Sequence, residues 1–248
     1  NISKDIQSAV KDADLIILCV PLSSYKAILL EGKDFFKENS IITDTGSVKK
    51  EINIIFKNLN LKNISWIASH PIAGTEESGP LAGFKELFKD RWTIICENKN
   101  AKKDHVEKLK KFWELIGSKV KMMDTEEHDH VLALTSHLPH VVAYNIVMTA
   151  ISADDKFRES VIKYSAGGLR DFTRIAASDP IMWRDIFIDN SDNIINVLDK
   201  FSENLKDFRK AIAEKNGDKL IKFFESTKNV RKEIVKAKQE VNLPDFGR

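Results

Sequence analysis

The chain has 248 residues, 42% hydrophobic and 31% charged, which at about 150 residues per domain allows one to two domains and a sizeable core. Lys plus Arg number 39 against 37 Asp plus Glu, a formal net charge of +2, so no bulk positive field exists to hold nucleic acid or an anionic membrane. Cys19 and Cys96 sit in apolar runs without a C-x-x-C partner, which suits buried thiols in a reducing cytosol better than a disulfide framework.

The longest uninterrupted apolar run, Leu15 to Leu22, is far short of the roughly 20 residues that cross a bilayer. No charged-then-apolar leader opens the chain, so a soluble, cytoplasmic protein is expected. From Asp14 to about Met123, short apolar runs alternate with stretches of helical period, the mark of βα units and a largely parallel sheet. Strands are expected at Leu15–Val20, Ile41–Asp44, Ile64–Ser69, Thr93–Cys96 and Lys119–Met122. Between the last two, Val106, Leu109, Phe112, Trp113 and Ile116 share one face of a predicted helix, with Gly117 as its stop.

Beyond Met123 no glycine occurs before Gly167, and strand-type alternation gives way to long amphipathic phrases. The expected organisation is α/β plus all-α: a partial Rossmann-like domain over 1–123 and a helical domain over 124–248. Asp179-Pro180 reads as an N-cap followed by proline at the first helical position. Ile194, Leu198, Phe201, Leu205, Phe208 and Ile212 are spaced 4, 3, 4, 3, 4, a narrow coiled-coil-like seam. The helix that carries the seam would reach about 50 Å if it ran from Pro180. It packs either on the following helix or on a second copy, and composition does not choose between them.

In an open parallel sheet, ligands bind beyond the carboxyl ends of the strands. Three such ends carry polar or stiffened turns: Cys19-Val20-Pro21-Leu22, Asp44-Thr45-Gly46-Ser47, and Ser69-His70 through Thr75-Glu76. Ser47 has the position of an N-cap for the helix expected over Val48–Leu59. His70, held extended by Pro71, stands at a strand mouth, where structural and acid-base roles are both open. His128, His130, His137 and His140 invite a metal reading, but His128 and His130 would point about 200° apart on a helix and no cysteine lies nearby, so no metal is expected. Arg170 and Arg174 share a helical face with Asp171 three residues before Arg174, either a surface ion cluster or a guanidinium aimed at a carboxylate. No G-x-G-x-x-G phosphate cradle occurs in the 248 residues.

The phrases DADLIILCVP, IITDTGSVK, SHPIAGTEESGP, DHVLALTSHLPHVVAY, GGLRDFTRIAASDPIMWRD and PDFGR, in this order and over essentially the whole chain, closely resemble the prephenate/arogenate (cyclohexadienyl) dehydrogenases of tyrosine biosynthesis. The resemblance implies a nicotinamide-binding domain, a helical dimerisation domain that makes a homodimer, and NAD or NADP as cofactor. It implies oxidative decarboxylation of prephenate or arogenate. By matching phrases, His70 would take the ring hydroxyl's hydrogen bond and Ser47 would orient His70 and the nicotinamide. Arg174 would hold the ring carboxylate and His140 the side-chain carboxylate. Thr75, Glu76, Asp171, His128 and Trp183 would shape or gate the pocket, and Val20, Pro21 and Gly46 would line the cofactor crevice.

The family's glycine-rich first βαβ unit is not visible, so these residues alone are expected to bind NAD(P)+ poorly, and the choice between NAD and NADP is unreadable. Two alternatives stand beside this reading. One is a β-hydroxyacid-type dehydrogenase; the other is a non-catalytic dimerisation or regulatory module that binds tyrosine-like ligands.

Overall fold

The computed structural model describes residues 2–61, 63–96, 101–152 and 155–236; the terminal phrase at 244–248 lies outside the described residues. Two compact units divide the chain, Asn1–Ile195 and Asn196–Arg248. The first holds α1 (Ile6–Val10), β1 (Leu15–Leu18), α2 (Tyr25–Gly32), β2 (Ile41–Asp44), α3 (Lys50–Leu59), β3 (Ser65–Trp66), β4 (Ser69–Pro71), β5 (Trp92–Cys96), α4 (Lys103–Leu115) and β6 (Lys119–Met123). It continues through α5 (Thr125–Leu132), α6 (Leu138–Ile151), α7 (Asp155–Lys163), α8 (Gly167–Thr173) and α9 (Pro180–Asp189). The boundary falls within α10 (Ser191–Ala213), and α11 (Gly217–Lys236) completes the second unit.

β1, β2 and β3 form a parallel sheet with Leu15 opposite Ile41 and Ile41 opposite Ser65. β5 lies parallel to β6 and antiparallel to β4. The single strand expected over Ile64–Ser69 is therefore two strands in two sheets. Its middle serves both sides: Ile67 N donates to Ile42 O at 3.0 Å, and Cys96 N donates to Ala68 O at 2.9 Å. The change of partner carries the chain into β4, so His70 is not at a strand mouth. It sits inside β4, opposite Ile94.

Packing explains the long elements. Leu109 and Trp113 of α4 are fully buried, with Ile41, Ile67 and Ile95, in one core cluster, and the left-handed Gly117 (φ 100°) ends that helix as its position predicts. Phe56 of α3 stacks on Trp66 with ring centroids 3.7 Å apart, while Trp66 Nε1 donates to Asn53 Oδ1 at 2.7 Å. Asp179 caps α9 by accepting from Met182 N at 2.8 Å, with Pro180 in the first turn. Thr125 to Ile151 form 27 continuous helical residues, long and apolar enough by length and composition to cross a membrane. This run includes a π-helical turn at Ala133–His137, just before Pro139, which lacks the N–H that a regular helix needs.

Two expectations need correction. A single helix running on from Pro180 does not form: Asn190, with φ −114° and ψ 26°, separates α9 from α10. Cys19 is exposed rather than buried, because it lies just beyond the end of β1; Cys96, inside β5, is buried. The seam is divided. In the second unit Phe208 packs on Phe223 at 4.7 Å, while Leu205 and Ile212 remain 57% and 62% exposed.

Candidate active site

The turn after β2 is built around a buried ion pair. Lys49 Nζ lies 2.5 Å from Asp44 Oδ2 and donates to Ser69 O at 2.8 Å, and both side chains of the pair are fully buried. Asp44 also accepts from Gly46 N at 2.9 Å, Ser69 N at 3.1 Å and Tyr25 Oη at 3.3 Å. Burial pushes the Asp44 carboxyl up, opposed by the Lys49 ammonium and these donors. A β-carbon at Gly46 would lie 2.6 Å from Leu22 Cδ2 and 2.9 Å from Asp44 Oδ2, so the wall here requires glycine. Exposed Val20 and Pro21 stand beyond the carboxyl end of β1, the side of an open parallel sheet where ligands bind.

Beside this turn, His70 is 8% exposed and its Nδ1 is 2.9 Å from Nε2 of His128. His128 Nδ1 in turn is 2.7 Å from Asp129 Oδ1. The Asp129 carboxylate reaches across to the start of α3, where it accepts from Lys49 N and Lys50 N, each at 2.9 Å. Burial holds the His70 imidazole well below its usual range, helped by charges at His128, Lys49 and His137. Burial likewise lowers His128, against the pull of Asp129.

The π turn places His137 and His140 on the same group of rings. His140 stacks on Trp183 with centroids 3.4 Å apart and lies 2.9 Å by Nδ1 from Ser136 O. His137 meets Trp183 edge-on at 6.1 Å, and burial lowers it to about 4. Asn190 Nδ2 donates to Asp129 O at 2.8 Å and stands 3.1 Å from His137 Nδ1. Arg174, in the single turn after α8, pairs through Nη1 with Glu76, six residues beyond His70 on the segment leaving β4. Among the described residues, His137 Nε2, Trp183 Nε1, Tyr144 Oη and Arg174 Nε are buried without a hydrogen-bond partner. Such orphaned groups on adjoining side chains are what a polar ligand satisfies.

The structure thus pairs His70 with His128, Glu76 with Arg174 and His140 with Trp183, and the Arg174 charge also acts on His140. Thr75 is exposed, its Oγ1 accepting from Glu77 N at 3.2 Å. Asp171 lies exposed on α8. Ser47 does not cap α3: the N-cap is Lys49, and Asp129 supplies the capping carboxylate from α5. Sequence reasoning missed Lys49, Asp129 and Asn190. One signal was present, since a lysine at a helix N-terminus opposes the macrodipole and implies a nearby anion.

The family model "Prephenate dehydrogenase, nucleotide-binding domain" matches residues 1–122, and "Prephenate dehydrogenase, dimerization domain" matches 124–226. The chain belongs to the prephenate dehydrogenase family. It is 42% identical to a cyclohexadienyl dehydrogenase of Zymomonas mobilis, over 93% of this chain and 78% of that protein. To the prephenate dehydrogenase of Bacillus subtilis it is 30% identical, over 96% of this chain and 64% of that protein. The structure of Aquifex aeolicus prephenate dehydrogenase in complex with hydroxyphenyl propionate and NAD+ is similar at a TM-score of 0.85 and 33% identity, covering 94% of this chain and 80% of that one.

Proposed function

We propose that the chain catalyses the oxidative decarboxylation of prephenate, arogenate or both, yielding 4-hydroxyphenylpyruvate or tyrosine, in tyrosine biosynthesis. When bound, NAD(P)+ accepts the hydride from the ring carbon that bears the hydroxyl. The hydroxyl proton passes to Nε2 of His70. Carbon dioxide leaves the opposite ring carbon, the electron pair of the broken bond completes the aromatic ring as a phenolate, and that oxygen takes its proton back from His70. A neutral, buried imidazole suits this step, a contribution of about 10²- to 10⁴-fold.

Arg174 is assigned the ring carboxylate and His140 the side-chain carboxylate, with Thr75, Glu76, Asp171, His128 and Trp183 shaping the pocket. Ser47 orients His70 and the nicotinamide, and Val20, Pro21 and Gly46 line the cofactor crevice. The observation that carries this reading is the connection of buried His70 to Arg174 through the segment that ends in Glu76, with Arg174 Nε left unpartnered. The names of the relatives, a cyclohexadienyl and a prephenate dehydrogenase, support the substrate class.

Residues 1–123 would hold the cofactor and 124–248 the substrate and a second copy, a division supported by the family matches at 1–122 and 124–226. Exposed Leu205, Ile212, Ile221 and Phe224 on α10 and α11 support a homodimer. Two free thiols support a reducing, cytoplasmic location, and the near-neutral charge supports small-molecule partners over nucleic acid or membrane. Prephenate and arogenate supplied in parallel, each with NAD+ and NADP+, test the reading through reduced cofactor and carbon dioxide. Turnover of a simple hydroxyacid without carbon dioxide would favour a β-hydroxyacid dehydrogenase instead.

A further inference from the structure

We infer that Asp129 and His128 are positioning residues that fix which nitrogen of His70 carries its proton. The inference rests on His70 as the proton acceptor proposed above. An ionised carboxylate only accepts, so the 2.7 Å contact to Asp129 Oδ1 makes His128 Nδ1 the donor. In neutral His128 the other nitrogen, Nε2, then carries a lone pair. The 2.9 Å contact to His70 can be a hydrogen bond only if His70 Nδ1 bears the proton. His70 Nε2 is left with its lone pair, the form that accepts a hydroxyl proton.

Asp129 has little freedom to do otherwise. Its two oxygens accept the backbone N–H groups of Lys49 and Lys50 at the start of α3, where the helix dipole favours an anion, and its carbonyl accepts from Asn190. The charged groups around the two rings are Lys49, Asp44 and Asp129, with His137 nearby. The Lys49 ammonium is committed to Asp44 and Ser69 O, which leaves Asp129 as the anion that touches the pair of rings.

The proton count closes when the proton that His70 Nε2 accepts from the hydroxyl returns to the phenolate oxygen of the product. The hydroxyl proton moves to His70 Nε2, and the imidazolium so formed keeps Nδ1–H on His128 Nε2. Its positive charge then faces a carboxylate through one neutral ring. A side chain set to the wrong tautomer loses about 10⁴-fold in a comparable histidine–carboxylate arrangement.

Nitrogen-15 NMR of the histidine-labelled protein reads the tautomers directly, without turnover. The expected spectrum has His70 protonated at Nδ1 and unprotonated at Nε2, and His128 the same. A His70 ring protonated at Nε2 in the unsubstituted protein overturns the inference. His128→Phe removes the acceptor and leaves the α3 cap in place; it should release His70 to a mixture or to the Nε2–H form. It should also lower kcat about 100-fold with KM within threefold. His128→Gln, whose Oε1 can accept from His70, should restore part of the loss. Should His128→Phe not fold, the unsubstituted spectrum carries the same test. A folded His128→Phe protein with unchanged His70 tautomer and unchanged kcat overturns the inference. If the tautomers are as stated but neither prephenate nor arogenate turns over, the positioning holds and the proposed reaction fails.

Discussion

Lys49 and Asp44 form a fully buried ion pair whose charged atoms are 2.5 Å apart, between the end of β2 and the start of α3. Removing one partner of such a pair strands a charge in the interior, at a cost of about 3–5 kcal/mol. Lys49→Met should therefore lower unfolding stability by about that amount in denaturant titration. A loss below about 1 kcal/mol would show that Asp44 is neutral or otherwise compensated.

Acid should unfold the protein earlier than its carboxylates alone would. His70, His128 and His137 are all lowered by burial, His137 to about 4. A histidine lowered on folding binds its proton more tightly in the unfolded chain. Its stabilising contribution is complete above the unfolded value of about 6.5 and is lost as pH falls toward the folded value. The His137 shift alone corresponds to about 3 kcal/mol. Stability measured from pH 7 to 4 should fall steeply; a flat profile would mean that these rings are not buried neutral.

Asp189 acts in the opposite direction. It lines a cavity of about 200 Å³ with Lys50 and Glu51, and burial together with Asp185, Glu51 and Asp129 pushes it up to about 6. A carboxyl raised on folding penalises the folded state once ionised: the penalty is absent below about pH 3.8, grows toward 6 and is complete above it. Because the group is half-exposed, the penalty is about 1 kcal/mol after screening. Asp189→Asn should raise Tm by about 2–4 °C at pH 8 and by little at pH 4. A lower Tm at pH 8 would contradict this.

His140 presents Nδ1 to the Ser136 carbonyl, and burial lowers its pKa. Nε2 can therefore donate to a carboxylate only if the ring takes up a proton as substrate binds. KM should rise about tenfold per pH unit above neutrality while the ring is neutral in the free protein, and His140→Asn should flatten that rise. An unchanged slope in the variant would remove His140 from carboxylate binding.

Local pattern made part of this molecule legible. β2 and the α9 cap stand where the sequence places them, because turn chemistry and hydrophobic period act over a few residues. The partition of 65–71 between two sheets was not legible, since Ile67 and Ala68 find their partners at Ile42 and Cys96, far along the chain. The same limit hid the centre of the site. His70 was evident from its phrase, yet its environment comes from His128, 58 positions away, and the Arg174 contact from Glu76, 98 away. Ser47 looked like a cap because nothing local announces that Asp129 takes that duty.

In the proposed function His70 accepts the hydroxyl proton of a cyclohexadienyl substrate. The most direct test compares the protein with its His70→Asn variant at saturating NAD+ or NADP+, following reduced cofactor and carbon dioxide together. Equal amounts of the two products are predicted, with kcat reduced by at least about 100-fold in the variant and KM changed by less than about threefold. A variant that turns over at the rate of its parent would remove His70 from the proton transfer, and a parent that reduces cofactor without releasing carbon dioxide would contradict oxidative decarboxylation.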